Sequence, residues 1–141
     1  MQISIAPLRY TGLAASAALL AGCLASNPAA TPASPEQQVR ERATSFWQAR
    51  IKGEVPLAYG LLAPAYRLLR SEDEFVKSNG RQIALEKVEV TQVACETEKC
   101  TARLALTGKP SVPGLALPQL TTYKDDIWVL ENGQWWRFEK P

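Results

Sequence analysis

IWVLENGQWWRF, residues 127–138, is the stretch whose reading sets the fold. Asn132-Gly133 lies between two apolar runs, and both residues tolerate the positive φ of a type I′ turn, so the segment reads as a two-residue β-hairpin. That turn fixes register: Leu130 faces Trp135, Val129 faces Trp136, Trp128 faces Arg137 and Ile127 faces Phe138. Alternation along each strand then makes two faces. Ile127, Val129, Trp136 and Phe138 are expected on the core side. Trp128, Leu130, Trp135 and Arg137, with Asp126 nearby, are expected on the other side as a partner surface, because two tryptophans and a leucine are not normally left in water. The alternative is scattered aromatics shielded by Arg137 through cation–π contact.

Upstream, residues 100–106 alternate cleanly, with Cys100, Ala102, Leu104 and Leu106 on one side. Before them Ile83 and Leu85 share one parity, Val88 and Val90 take the opposite one, and Val93 returns to the first. A parity switch within one strand predicts a bulge near Glu86-Lys87. Residues 109–120 hold Pro110, Pro113, Gly114 and Pro118, a loop long enough to need a reason, such as a mobile lid over residues 110–118.

Helices come first. Ser34-Pro35-Glu36-Gln37 offers a capping serine, proline at the first helical position and glutamine at the third. Val39, Ala43, Phe46, Trp47 and Ile51 then mark one helical face, Arg50 falls among the residues left to the other side, and Lys52-Gly53 ends the helix. A second helix is expected over residues 55–62, with Leu57, Ala58, Leu61 and Leu62 available for burial. Residues 64–69 add a turn or two. Ser71-Glu72-Asp73-Glu74 is another capping box, and Asn79-Gly80 a left-handed stop.

Residues 1–22 carry one charge, Arg9, followed by an apolar run too short for a permanent transmembrane helix, which needs about 20 residues. Its length suits a signal peptide. Leu20-Ala21-Gly22-Cys23 resembles the lipobox of bacterial lipoproteins. The resemblance implies cleavage before Cys23, lipidation of its thiol and stable membrane anchoring through two or three acyl chains. Leu24 after the cysteine implies the outer membrane, the domain facing the periplasm. Residues 23–34 then form the lipidated cysteine and a small, proline-rich tether. Residues 35–141 form one domain, since the chain beyond the leader is long enough for a single core. The 16 basic and 14 acidic residues of the whole chain are nearly balanced, and Arg9 leaves with the leader, so no electrostatic case exists for nucleic acid.

With Cys23 lipidated, Cys95 and Cys100 remain. They flank a predicted hairpin end at a separation that a disulfide spans, and an exported chain meets an oxidising compartment. Two thiols without any histidine are too few ligands for zinc, so neither metal nor cofactor is expected.

Helices followed by a bent four-stranded antiparallel sheet make an α+β layout. Phe46-Trp47-Gln48-Ala49-Arg50, Gly53-Glu54-Val55, Ala58-Tyr59 and Leu62-Ala63-Pro64-Ala65-Tyr66-Arg67 resemble the nuclear transport factor two-like fold, the cone shared with ketosteroid isomerase. The resemblance implies a sheet curled round the first helix and a pocket at the wide end, to which Trp47, Tyr59, Tyr66 and Tyr123 are candidates. It also implies a sheet face that forms a homodimer or meets an envelope protein. Enzymes of that family place a base in the cone. This chain has no histidine, and Asp73, Asp125 and Asp126 have no spacing that singles one out, with Asp125-Asp126 expected to be exposed. The expectation is therefore a lipid-anchored, non-enzymatic binding or scaffold module. The alternative is a small-molecule binder or general-base enzyme using the cone.

Overall fold

A computed structural model describes residues 32–79, 84–110, 114 and 116–141. The leader, Cys23, most of the tether, Gly80, Ile83 and part of the loop before the third strand lie outside the described residues. Four helices precede four strands: α1 (Pro35–Lys52), α2 (Val55–Tyr59), α3 (Pro64–Leu69), α4 (Glu72–Asn79), β1 (Leu85–Cys95), β2 (Lys99–Gly108), β3 (Leu120–Glu131) and β4 (Gln134–Arg137). The sheet is antiparallel in the order β1-β2-β3-β4. Its inner face packs on α1, the α+β cone layout expected from the sequence.

α1 begins and ends where its caps dictate. The Ser34 hydroxyl accepts from the Gln37 amide at 3.3 Å, Pro35 opens the helix and Gly53 closes it. Val39, Ala43, Phe46 and Trp47 are buried against the sheet, but so is Arg50, which the helical face alone assigned to solvent. α2 stops at Tyr59 rather than Leu62, and Leu57 is exposed. Residues 61–63 leave the helix to cover the free edge of β4: the Ala63 amide donates to the Arg137 carbonyl and the Arg137 amide to the Leu61 carbonyl, both at 2.9 Å. An otherwise bare strand edge is thereby satisfied. At α4, Ser71 and Glu74 exchange the reciprocal bonds of a capping box.

β1 is bent at two places. Its register against β2 slips between Leu85 and Lys87 and again between Val90 and Gln92. Each extra residue restores parity, so Leu85, Val88, Val90 and Val93 all join the core despite their uneven spacing. Gly108 opposes Leu85, and a Cβ there would stand 2.1 Å from the Ala84 carbonyl oxygen, so only glycine permits that approach.

The hairpin has the register the turn predicts, with Asn132 and Gly133 at φ 53° and 75°. Its two faces are the reverse of the expectation. Trp128, Trp135 and Arg137 are buried under the helices and Leu130 packs partly buried against them, while Phe138 is largely exposed. The reason lies in β2. Cys100 pairs with Trp128 and Ala102 with Asp126, and paired residues share a face, so the clean inward alternation of β2 carries Asp126, Trp128 and Leu130 inward with it. Trp128, Trp135 and Arg137 are therefore enclosed rather than presented to a partner, and Leu130 packs against them from the rim of the core.

Candidate functional site

The interior of the cone is packed. Trp128, Leu104, Val39 and Cys100 are fully enclosed, and Trp135 and Phe46 nearly so. Polar groups gather at one end, where α1, β3 and the end of β4 converge. Asp126 is 2 % exposed, and its position on the inward parity of β3 aims its carboxylate at α1 and β4. Oδ2 accepts from the Trp47 indole Nε1 at 2.7 Å and from Arg137 Nε at 3.0 Å, and Oδ1 accepts from Arg137 Nη2 at 3.2 Å. Lys124 Nζ stands 3.4 Å from Oδ1. Arg137 Nη1 also donates to Glu139.

Burial by itself would push the Asp126 carboxyl up. Arg137's hydrogen bonds and charge, then Lys124 and Trp47, outweigh it and hold the carboxyl below its ordinary value. Arg137 is held above its ordinary value for the converse reason: burial disfavours its charge, and Asp126 and then Glu139 more than compensate. Its guanidinium lies 4.5 Å from the Phe46 ring centroid and 5.9 Å from that of Trp47, with Lys124 over the Trp47 ring at 5.1 Å.

Beside this pair is a cavity of about 170 Å³ walled by Phe46, Trp47 and Phe75 and by the charged groups of Arg50, Lys124, Arg137 and Glu139. Arg50 is 9 % exposed. Its Nη1 donates to the Asn79 carbonyl at the end of α4, and burial together with the charge of Arg137 lowers its pKa, an effect that Glu139 partly offsets.

The four aromatic residues proposed from sequence for the pocket do not converge. Trp47 lines the cavity. The Tyr59 hydroxyl is spent on the Arg70 carbonyl at 2.8 Å, clipping the end of α3. Tyr66 meets the Phe75 ring edge-on at 6.2 Å between centroids and borders an open groove of about 560 Å³ with Arg70, Lys77 and Lys140. Burial first and Glu139 second push its phenol up, so it stays protonated. Tyr123 points out from the opposite sheet face, 62 % exposed beneath the Arg103 guanidinium, away from the cavity beside Asp126. Of the three candidate carboxylates, Asp73 is exposed in the first turn of α4 and Asp125 is exposed and bound to Arg103 at 3.0 and 3.1 Å. Asp126, expected outside, is inside.

Neither Arg50 nor Glu139 carries a sequence signal that marks it for the site. Asp126 does carry one: it shares parity with Trp128, and Trp128 faces Arg137. Cys95 and Cys100 are opposed on β1 and β2 and joined as a disulfide, their Cα atoms 4.0 Å apart. Among the described residues no cluster of three metal-ligating side chains occurs, and no helix is long and apolar enough to cross a membrane.

The architecture defines an α+β cone domain. No protein-family model matches the chain, and a search of curated proteins returns no match. Among solved structures it is similar to a SEC-C motif containing protein from Rhodopseudomonas palustris, at 15% identity over 75% of this chain and 76% of that one, with a TM-score of 0.53. It is also similar to a dehydratase candidate of the NTF2-like family from Streptomyces avermitilis, at 11% identity over 71% and 88% of the two chains, TM-score 0.48. An NTF2-like transpeptidase candidate from Campylobacter jejuni aligns at 10% identity over 71% and 96%, TM-score 0.48. At such identities the first likeness is one of fold alone, and nothing about activity follows from the other two.

Proposed function

We propose that this is a lipid-anchored envelope protein whose cone domain faces the periplasm and binds without catalysing. The observation that carries the non-catalytic part is the state of Asp126. It is the one acidic residue buried among the described residues, and its oxygens already accept three hydrogen bonds, two from Arg137 and one from Trp47, and face a second cation, Lys124. A general base needs a pKa near working pH and a free lone pair aimed at substrate. Asp126 has been moved the other way. With Trp128 and Trp135 in the core, binding at the charged end of the cone is favoured over binding through the aromatic strands.

The anchoring part is supported by the lipobox residues Leu20-Ala21-Gly22-Cys23, by the proline-rich tether and by a disulfide of the kind that persists in oxidising compartments. The membrane is then a partner through the lipid, with outer-membrane placement following from Leu24. Growing the native host on labelled palmitate and fractionating its envelope tests this. Label and membrane association are expected for the natural chain and not for Cys23→Ser. An unlabelled chain, or a serine variant that sediments equally with membranes, would overturn it.

A further inference from the structure

The geometry points to a binding site for a small organic oxyanion, a carboxylate or phosphate monoester with a flat apolar body, in the cavity between Arg50, Arg137 and Lys124 at the charged end of the cone. It rests on the reading of the cone as a binding domain and adds the chemistry of its ligand.

The first ground is charge. Arg50, Lys124 and Arg137 bring three positive charges to one small space, and Asp126 and Glu139 bring two negative ones. Asp126 and Glu139 are both bound to Arg137. Arg50 has no ion-pair partner among the described residues although it is nine-tenths buried. Capping α4 through the Asn79 carbonyl occupies one donor of the five a guanidinium carries. Burial and the charge of Arg137 disfavour this guanidinium, and Glu139 and the Phe75 ring, 6.0 Å away, offset that only in part. A bound anion supplies the missing charge and the fork geometry that arginine recognises.

The second ground is shape. The cavity measures about 170 Å³, and Phe46, Trp47 and Phe75 share its walls with Arg50, Asn79, Lys124, Arg137 and Glu139. A cavity of about 150 Å³ holds one benzene-sized ring, so one ring with a charged head matches the volume, and the mixed aromatic and cationic lining offers a partner to each part. Glu139 holds Arg137 Nη1 from a half-buried position on the segment after β4, where an incoming oxyanion would compete with it. Glu139 is thus an internal competitor, and removing its charge favours the ligand.

Titration of the full chain, purified in mild detergent, with benzoate and with phenyl phosphate tests the site. The readout is the NMR shift of the Arg50 side-chain Nε–H and the Trp47 indole N–H. Saturable shifts are expected with at least one probe, and whichever binds assigns the head group. Benzyl alcohol, uncharged and of similar size, is expected not to bind. Arg50→Met should weaken binding at least ten-fold, and Glu139→Gln should tighten it several-fold. If Arg50→Met fails to fold, the Glu139→Gln arm decides alone. Absence of saturable binding by both probes, benzyl alcohol binding as well as benzoate, or unchanged affinity in a folded Arg50→Met or in Glu139→Gln would each overturn the site. None of these results touches membrane anchoring. Chemical conversion of a bound probe would instead overturn the non-catalytic reading and leave the site standing.

Discussion

Arg137 grips Asp126 from the neighbouring strand with two hydrogen bonds, one to each carboxylate oxygen, Nε to Oδ2 at 3.0 Å and Nη2 to Oδ1 at 3.2 Å, and both side chains are buried. Each of the two charges makes the other's burial tolerable. Breaking such a pair from one side costs about 3–5 kcal/mol, whereas replacing both partners by apolar residues can be neutral.

Arg137→Met should therefore lower unfolding stability by about 3–5 kcal/mol in urea denaturation, leaving Asp126 buried without its main partner. Asp126→Leu combined with Arg137→Met should recover most of that loss. A double variant as unstable as the sum of the single changes would show that the two residues act independently.

The same pair sets a pH dependence. The Asp126 carboxyl is depressed in the folded chain, so its contribution is present above the unfolded aspartate value of about 3.9 and is lost as pH falls through the lower folded value. Stability of the natural chain should fall more steeply below about pH 4 than that of Asp126→Asn. Parallel acid-denaturation curves for the two would contradict this.

Trp128→Ala should cost about 3–5 kcal/mol because it empties a fully enclosed site. Phe138→Ala, on the opposite face and 45 % exposed, should cost under about 1 kcal/mol. Thermal melts of both variants check which hairpin face is core. By the same reasoning Trp135→Ala should destabilise the monomer rather than dissolve an oligomer, which analytical ultracentrifugation distinguishes.

The disulfide between Cys95 and Cys100 closes a loop of sequence separation 5. Reduction, or replacement of both cysteines by serine, should lower stability by about 2 kcal/mol through regained chain entropy in the unfolded state. Equal denaturation midpoints with and without reductant would mean the bond contributes nothing.

Much of the backbone is legible in the sequence because its signals are local. Ser34 and Gly53 bound α1, Ser71 and Glu74 start α4, Asn132-Gly133 sets the hairpin, and the uneven spacing of Leu85, Val88, Val90 and Val93 announces a bent β1. The site is not legible, because its charges break the rule that polar residues face water. Charge alone sends Asp126 and Arg137 outward, and that turns the whole hairpin over. Arg50, assigned to solvent for the same reason, caps α4 across 29 positions of sequence.

By itself, the sequence determined the order of helices and strands, the hairpin register and the opposed cysteines, since caps, turns and two-residue alternation act over a few residues. Only the tertiary structure decided which side of that hairpin lies inside. Alternation defines two faces without ranking them, and the ranking came from β2, whose inward Cys100 and Ala102 bring Trp128 and Asp126 with them to a place where a carboxylate and a guanidinium can replace water for each other.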